Sequence, residues 1–229
     1  LLPFAGFVAD EVVDRAAIRV GEKEGFQRRD LAVGEHFFAP VSGYAYLGHE
    51  ALLGLARDMG ARVRQRPVDI GAVFSAGGTT PPAKQSDARR AWRTLDMRRW
   101  ARRRGLPLND KPRFWPTDGG PASRAMVALE GSGGPVDAFV SAVLAAVWAR
   151  DLDIAAPETI ELLLRECGAD VSATLARAES AQAQETYEAN TRDAIAAGAF
   201  GSPFYRVGDE VFFGQDRLDF VRSALANGS

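Results

Sequence analysis

Two serines in this chain stand where the backbone around them can do chemistry. Ser42 follows the run His36-Phe37-Phe38-Ala39-Pro40 and precedes a helical pattern from Tyr44 to Met59. A hydroxyl at such a strand-to-helix junction lies beside unpaired amide N–H groups and the positive end of the helix macrodipole. Two readings fit it: an ordinary N-cap, or a site for an anion or thiolate, whose charged form a helix start stabilises. Ser202 precedes Pro203 at the entrance to another apolar run. An X-Pro bond there is open to the cis form, which turns the Ser202 N–H and C=O toward a ligand instead of into a sheet. An extended peptide could then pair with Ser202 as an added strand. Gln215 and Asp216 open the last helix, where Asp216 reads as an N-cap or as a carboxylate for a ligand ammonium group.

The elements that must position these residues follow from periodicity. Leu31 to Pro40 reads as a strand, Tyr44 to Met59 as a helix with Leu47, Ala51, Leu52, Leu55 and Ala56 on one face, and Arg62 to Val68 as a second strand. A right-handed crossover makes the two strands parallel. From Phe74 to Gly198 the patterns are helical throughout, with prolines at helix boundaries. Phe204, Val207, Val211 and Phe213 alternate around Gly208-Asp209 as a hairpin, and Leu218 and Phe220 continue into a capped amphipathic helix. The fold class expected is therefore α/β, a thioredoxin-like β-α-β…β-β-α domain carrying a large all-helical insertion. Its parts are an extension over 1–31, a thioredoxin-like domain over 32–73 and 199–229, and the insertion over 74–198. In this topology Ser202-Pro203 lies opposite the helix start at Ser42.

The bulk composition excludes several functions. With 229 residues, 46% of them hydrophobic, the chain can bury a full core. A formal charge of −2 gives no global pull toward nucleic acid or an anionic membrane. One cysteine, Cys167, rules out a Cys-x-x-Cys redox pair within the chain and fits a reducing cytoplasm, with Cys167 itself read as an inert thiol. The first ten residues lack a basic flank and are broken by Pro3 and Asp10, unlike a secretory signal, and no apolar run is long enough to span a bilayer.

Other candidates read as structure. Eight arginines between Arg89 and Arg104 describe a solvated helix face, with Arg89 or Arg90 the candidates for meeting a ligand carboxylate. Tyr44, Tyr46, Trp92 and Trp100 read as core, the two tryptophans alternatively as walls of an aromatic cleft. Gly77-Gly78-Thr79-Thr80-Pro81-Pro82 lacks the order of a phosphate loop. His36, His49 and Cys167 have no metal-ligand spacing, so no metal is expected.

The stretch Phe38-Ala39-Pro40-Val41-Ser42-Gly43-Tyr44-Ala45-Tyr46-Leu47, the helical insert, and Gly201-Ser202-Pro203 through Gly214-Gln215-Asp216-Arg217-Leu218 together resemble the 2-hydroxychromene-2-carboxylate isomerases. These are grouped with kappa-class glutathione transferases in the DsbA-like branch of the thioredoxin superfamily. The resemblance implies a glutathione-dependent cis-trans isomerase of aromatic catabolism, working by reversible thiolate addition. It makes Ser42 the residue that supports the glutathione thiolate. It also assigns Ser202-Pro203 to the tripeptide backbone and Gln215-Asp216 to the γ-glutamyl end, with Arg89 near a family lysine and Thr79 near a family asparagine. A homodimer is implied as well. The family usually reads Asp-Pro-Val-Ser-Pro-Tyr where this chain has Ala39 and Gly43, and loss of a rigid first helical residue is expected to loosen the helix start. A glutathione-conjugating transferase and a peptide-binding protein without catalysis stand as alternatives.

Overall fold

A computed structural model describes residues 33–227; the expected extension over 1–31 lies outside the described residues. Strand β1 (Val33–Phe38) pairs in parallel with β2 (Arg62–Pro67) and antiparallel with β3 (Phe204–Val207), which pairs antiparallel with β4 (Glu210–Phe213). The order across the sheet is β2-β1-β3-β4. Helix α1 (Gly43–Met59) makes the crossover between the parallel pair. Gly60 ends it with φ +60, its N–H reaching the Ala56 and Arg57 carbonyls, a conformation glycine adopts without steric cost.

Alternation along the strands divides the side chains between two faces. Tyr205 and Val207 pack against Leu52 and Leu55 of α1 and Leu218, Val221 and Leu225 of α9 (Leu218–Asn227). On the opposite face Phe37 and Phe204 meet Val73 of α2 (Ile70–Ala76) and Ala194 of α8 (Ala181–Ala196). Glu35 shares that second face and is clasped by Arg66 and Arg206, while Arg66 also holds Asp193 of α8 at 2.5 Å. β4 is an edge strand, and its Val211 and Phe213 are 44% and 42% exposed.

The insertion comprises α3 (Asp87–Arg104), α4 (Gly120–Ser132), α5 (Val136–Trp148), α6 (Pro157–Glu166), α7 (Val171–Ala178) and α8, with no strand between Phe74 and Gly198. Helix α2 was not anticipated and straddles the boundary expected at 73/74. The insertion does not build its core alone. Phe38, Ala45, Tyr46 and Leu47 join Met97, Met126, Phe139, Leu144 and Trp148 in one buried cluster. Each such side chain contributes roughly 1.5–3 kcal/mol by leaving water, so α1 is gripped between sheet and insertion. Helix α9 starts one residue later than the sequence pattern implies: the Arg217 carbonyl accepts from Val221 N–H, leaving Asp216 in the preceding turn and not at the N-cap. Among the described residues no helix is long and apolar enough to cross a membrane.

Candidate active site at the start of α1

Ser42 has extended backbone angles, φ −82 and ψ 117, and its Oγ accepts from Ala45 N–H at 3.2 Å, which makes it the N-cap of α1. The same hydroxyl donates to the Ser202 carbonyl at 3.1 Å. Ser202 answers with its side chain, whose Oγ accepts from Ala39 N–H at 3.0 Å. The Ser202-Pro203 peptide is cis. Thus the loop entering α1 and the loop entering β3 are stitched together by two reciprocal hydrogen bonds, as the topology implied. The amide N–H groups of Gly43, Tyr44 and Ser202 have no acceptor among the described residues. Three unengaged donors therefore belong to the two segments that meet at the half-buried Ser42 hydroxyl and the helix N-terminus, an arrangement suited to an anion and an extended chain.

Gly43, the first residue of α1, is packed and not loose. A side chain there would overlap the Met97 methyl and lie 3.1 Å from Met97 Sδ and 3.0 Å from Trp148 Cζ2. The expected loosening of the helix start is thus corrected: Met97 and Trp148 occupy the room a larger residue would need.

The other sequence candidates divide. Gln215 is buried, and its carbonyl and Oε1 accept from Arg104 Nη2 at 3.0 and 2.6 Å. Asp216 is exposed, 3.4 Å from Arg217, and its charge reaches the Tyr44 hydroxyl near the start of α1. The Thr79 hydroxyl donates to the Phe200 carbonyl at 2.7 Å, bracing the segment that leads to Ser202. Arg89 is exposed, with its backbone N–H donating to Ser86 Oγ at 3.4 Å, and it is not part of the cavity lining between α3 and Trp148.

A cavity of about 270 Å³ lies between α3, the 108–115 loop and Trp148. Met97 and Trp148, which press on Gly43, form part of its wall. Trp115 forms another part, and its indole N–H donates to the Val41 carbonyl at 3.0 Å. The cavity therefore abuts the segment that carries Ser42. Arg93 lines it, with its guanidinium carbon 5.4 Å from the Tyr44 ring centroid, 5.6 Å from Trp115 and 5.7 Å from Trp148. Burial lowers the Arg93 pKa from its ordinary value. Burial, then the hydrogen bond from the Tyr44 hydroxyl to Asp96 Oδ2 at 2.9 Å, raises the Tyr44 pKa. The tryptophans of the cleft are thus Trp115 and Trp148; Trp92 is 59% exposed and Trp100 lies beneath Arg103 and Arg104. A sequence signal existed for Arg93, because Arg90, Arg93, Met97, Ala101 and Arg104 share one stripe of α3 whose apolar members are buried.

Beneath α1 lies a second polar group. His36 Nδ1 meets Gln65 Oε1 at 2.9 Å, Gln65 Nε2 donates to Asp137 at 2.8 Å, and His49 Nε2 lies 3.3 Å from the Asp137 carbonyl. Burial first, then the neighbouring His49, holds the His36 pKa down to about 3, against the opposing pull of Gln65. Burial likewise lowers the His49 pKa, against the opposing pull of Asp137 and Glu50. Cys167 is half-buried at the end of α6, and burial raises its pKa, leaving it without thiolate activation.

The model of the DSBA-like thioredoxin domain matches residues 35–226. The chain belongs to the DSBA-like thioredoxin family. Within that family it groups with the 2-hydroxychromene-2-carboxylate isomerases. The protein of that name from Sphingobium xenophagum is 30% identical over 83% of this chain and 96% of its own length. Its counterpart from Pseudomonas putida is 29% identical over 83% and 93%. A solved structure of a 2-hydroxychromene-2-carboxylate isomerase superposes with a TM-score of 0.69, at 28% identity, covering 85% of this chain and 94% of the other. The DSBA-like fold thus supplies the helix start and the proline loop, and this member carries Ser42 at the helix start, with one cysteine in the whole chain.

Proposed function

We propose that this DSBA-like protein is a glutathione-dependent cis-trans isomerase acting on 2-hydroxychromene-2-carboxylate or a closely related aromatic enol acid. The observation that carries this reading is the contact of Ser42 Oγ with the Ser202 carbonyl at 3.1 Å, which brings a helix N-terminus and a chain-pairing backbone to one point beside an aromatic cavity. The residues fit a tripeptide thiol. The free N–H groups of Gly43 and Tyr44 and the Ser42 hydroxyl suit its sulfur, the Ser202 backbone suits its peptide groups, and the exposed Asp216 suits its ammonium group.

Bound there, glutathione would supply a thiolate for reversible addition to a conjugated carbon of the substrate; opening of the chromene ring would free the former double bond to rotate before the thiolate is expelled. Ser42 stabilises the anionic sulfur by hydrogen bonding and by its place at the α1 N-terminus. Arg104 holds the Gln215-Asp216 turn, through Gln215, in the position that receives the ammonium end. Trp115 and Trp148 exclude water from the substrate side. The homologous isomerases of Sphingobium xenophagum and Pseudomonas putida support this class of reaction.

The test is calorimetric titration with glutathione, followed by ultraviolet monitoring of 2-hydroxychromene-2-carboxylate with and without it. Absence of glutathione binding sinks the proposal. A charge-assisted bond from Ser42 contributes about 1.5–3 kcal/mol, so Ser42→Ala should raise the bound thiol pKa by about one to two units. That shift is read from the thiolate absorbance as pH is varied.

A further inference from the structure

Arg93 and Lys111 line the cavity without a carboxylate partner among the described residues, and of the two Lys111 is exposed whereas Arg93 is half-buried and packed against aromatic faces. Among the described residues no carboxylate lies within salt-bridge distance of it. Those nearby are already engaged: Asp96 accepts from Tyr44, Asp110 is bound by Arg98, and Asp87 is bound by Arg90. Burying an unpaired guanidinium is costly unless something else meets its charge. Here the faces of Tyr44, Trp115 and Trp148 do so in part, each within 6 Å of the guanidinium carbon. Aromatic faces hold a guanidinium in place without consuming its N–H donors in hydrogen bonds. Those donors stay available to a planar anion, which arginine takes in a two-pronged geometry.

We infer that Arg93 is the receptor for the carboxylate of an aromatic acid, with Trp115 and Trp148 packing against its flat ring system. This inference rests on the proposed isomerase reading for the identification of that acid as the substrate. Three observations support it independently of the reaction. The cavity, about 270 Å³, is close to the lower end of ordinary small-molecule sites. Arg90 and Lys111 line it too, against one lining carboxylate, Asp110, which Arg98 already neutralises, so its potential favours an anion over a neutral or cationic ring. Its inner wall is tied to the 41–44 segment through Trp115 and Val41, through Met97 and Trp148 against Gly43, and through Arg93 over Tyr44. A carboxylate on Arg93 therefore anchors the acid beside the helix start that carries Ser42. Arg93 would then set specificity, rejecting neutral aromatic electrophiles that the cavity could otherwise admit.

The test uses the full chain and two probes of nearly the same shape, coumarin-3-carboxylate and coumarin, titrated calorimetrically. The expected result is a preference for the carboxylate of about ten- to a hundredfold, lost in Arg93→Met while coumarin still binds. Arg93→Lys should keep part of that preference, because an ammonium carries the charge without the planar fork. An undiminished preference in Arg93→Met, or no preference in the parent protein, overturns the inference. Should Arg93→Met fail to fold, Arg93→Lys decides: a reduced preference upholds the inference and a full one overturns it. Glutathione is titrated separately into the same samples. An Arg93-dependent preference without glutathione binding upholds this site and overturns only the thiol-dependent reading of the reaction.

Discussion

Gly43→Pro sets two local preferences against each other, and the structure decides between them. The backbone would accept the change. Position 43 is the first residue of α1, where proline is favoured and no intrahelical hydrogen bond is lost, although the free Gly43 N–H goes, and Ser42 at φ −82 and ψ 117 already has the extended geometry required before proline. Replacing glycine should thus gain about 0.5–1 kcal/mol through the unfolded chain. The side chain meets a different answer, because its Cβ overlaps the Met97 methyl and approaches Trp148 Cζ2 to 3.0 Å. Overpacking of this kind costs about 1–3 kcal/mol, so Gly43→Pro should destabilise the protein by about 1–2 kcal/mol. It should also push Met97 into the cavity and weaken binding of coumarin-3-carboxylate. Met97→Ala alone should cost about 2–5 kcal/mol as a cavity mutation. In the Met97→Ala background, however, Gly43→Pro should become neutral or stabilising, a coupling of at least about 1 kcal/mol. Urea unfolding of the four proteins in the cycle measures it. If Gly43→Pro stabilises the parent protein, or costs the same in both backgrounds, the packing argument is refuted.

Three further outcomes follow from the same geometry. Arg104→Met strips the buried Gln215 of the donor it shares between carbonyl and side chain, and should cost about 2–3 kcal/mol in urea unfolding and weaken glutathione binding, while leaving the carboxylate preference of the cavity unchanged. Ser42→Ala should cost about 1–2 kcal/mol of stability in the absence of any ligand, since it removes both an N-cap and the bond to Ser202. Stability should also fall on acidification. His36 has a folded pKa near 3 against an ordinary 6.5, so the unfolded chain binds more protons between those values and folding weakens as pH drops through that window. The slope should approach about 1.4 kcal/mol per pH unit below about pH 6, with His49, also lowered by burial, adding to it. His36→Phe should flatten the slope measured by urea unfolding; an unchanged slope would place the effect elsewhere.

What the sequence made legible was whatever depends on period and punctuation. The β1-α1-β2 unit announces itself through alternation, a helical stripe and Gly60, and the hairpin through Gly208-Asp209. The meeting of Ser42 with Ser202 follows from topology alone, because parallel strands and a right-handed crossover leave those two loops adjacent. Helix α2 escaped notice because it is seven residues long with a glycine near each end, although Asp69, which caps it by accepting from Gly71 and Ala72, was a usable signal. Arg93 was hidden for a different reason. Eight arginines of α3 are identical in type, and the burial of one of them depends on Trp115 and Trp148, which lie in other elements. Likewise Trp92 and Trp100, the tryptophans read as core or as cleft walls, both lie on α3, whereas the cavity takes Trp115 from a loop and Trp148 from the end of α5.

A hydroxyl has one hydrogen to give, and Ser42 has already committed its own to the Ser202 carbonyl. Under the proposed reading, a thiolate that takes this hydrogen releases that half-buried carbonyl, and an N–H arriving on the same ligand fills it directly. The exchange is favourable when a neutral acceptor is traded for a charged one and the abandoned carbonyl is satisfied in the same event. A thioether offers no charge, and a small thiol offers no N–H, so each displaces more than it restores. The resting contact between two serines 160 positions apart thus acts as a threshold that a ligand clears by presenting an anion and a peptide group together.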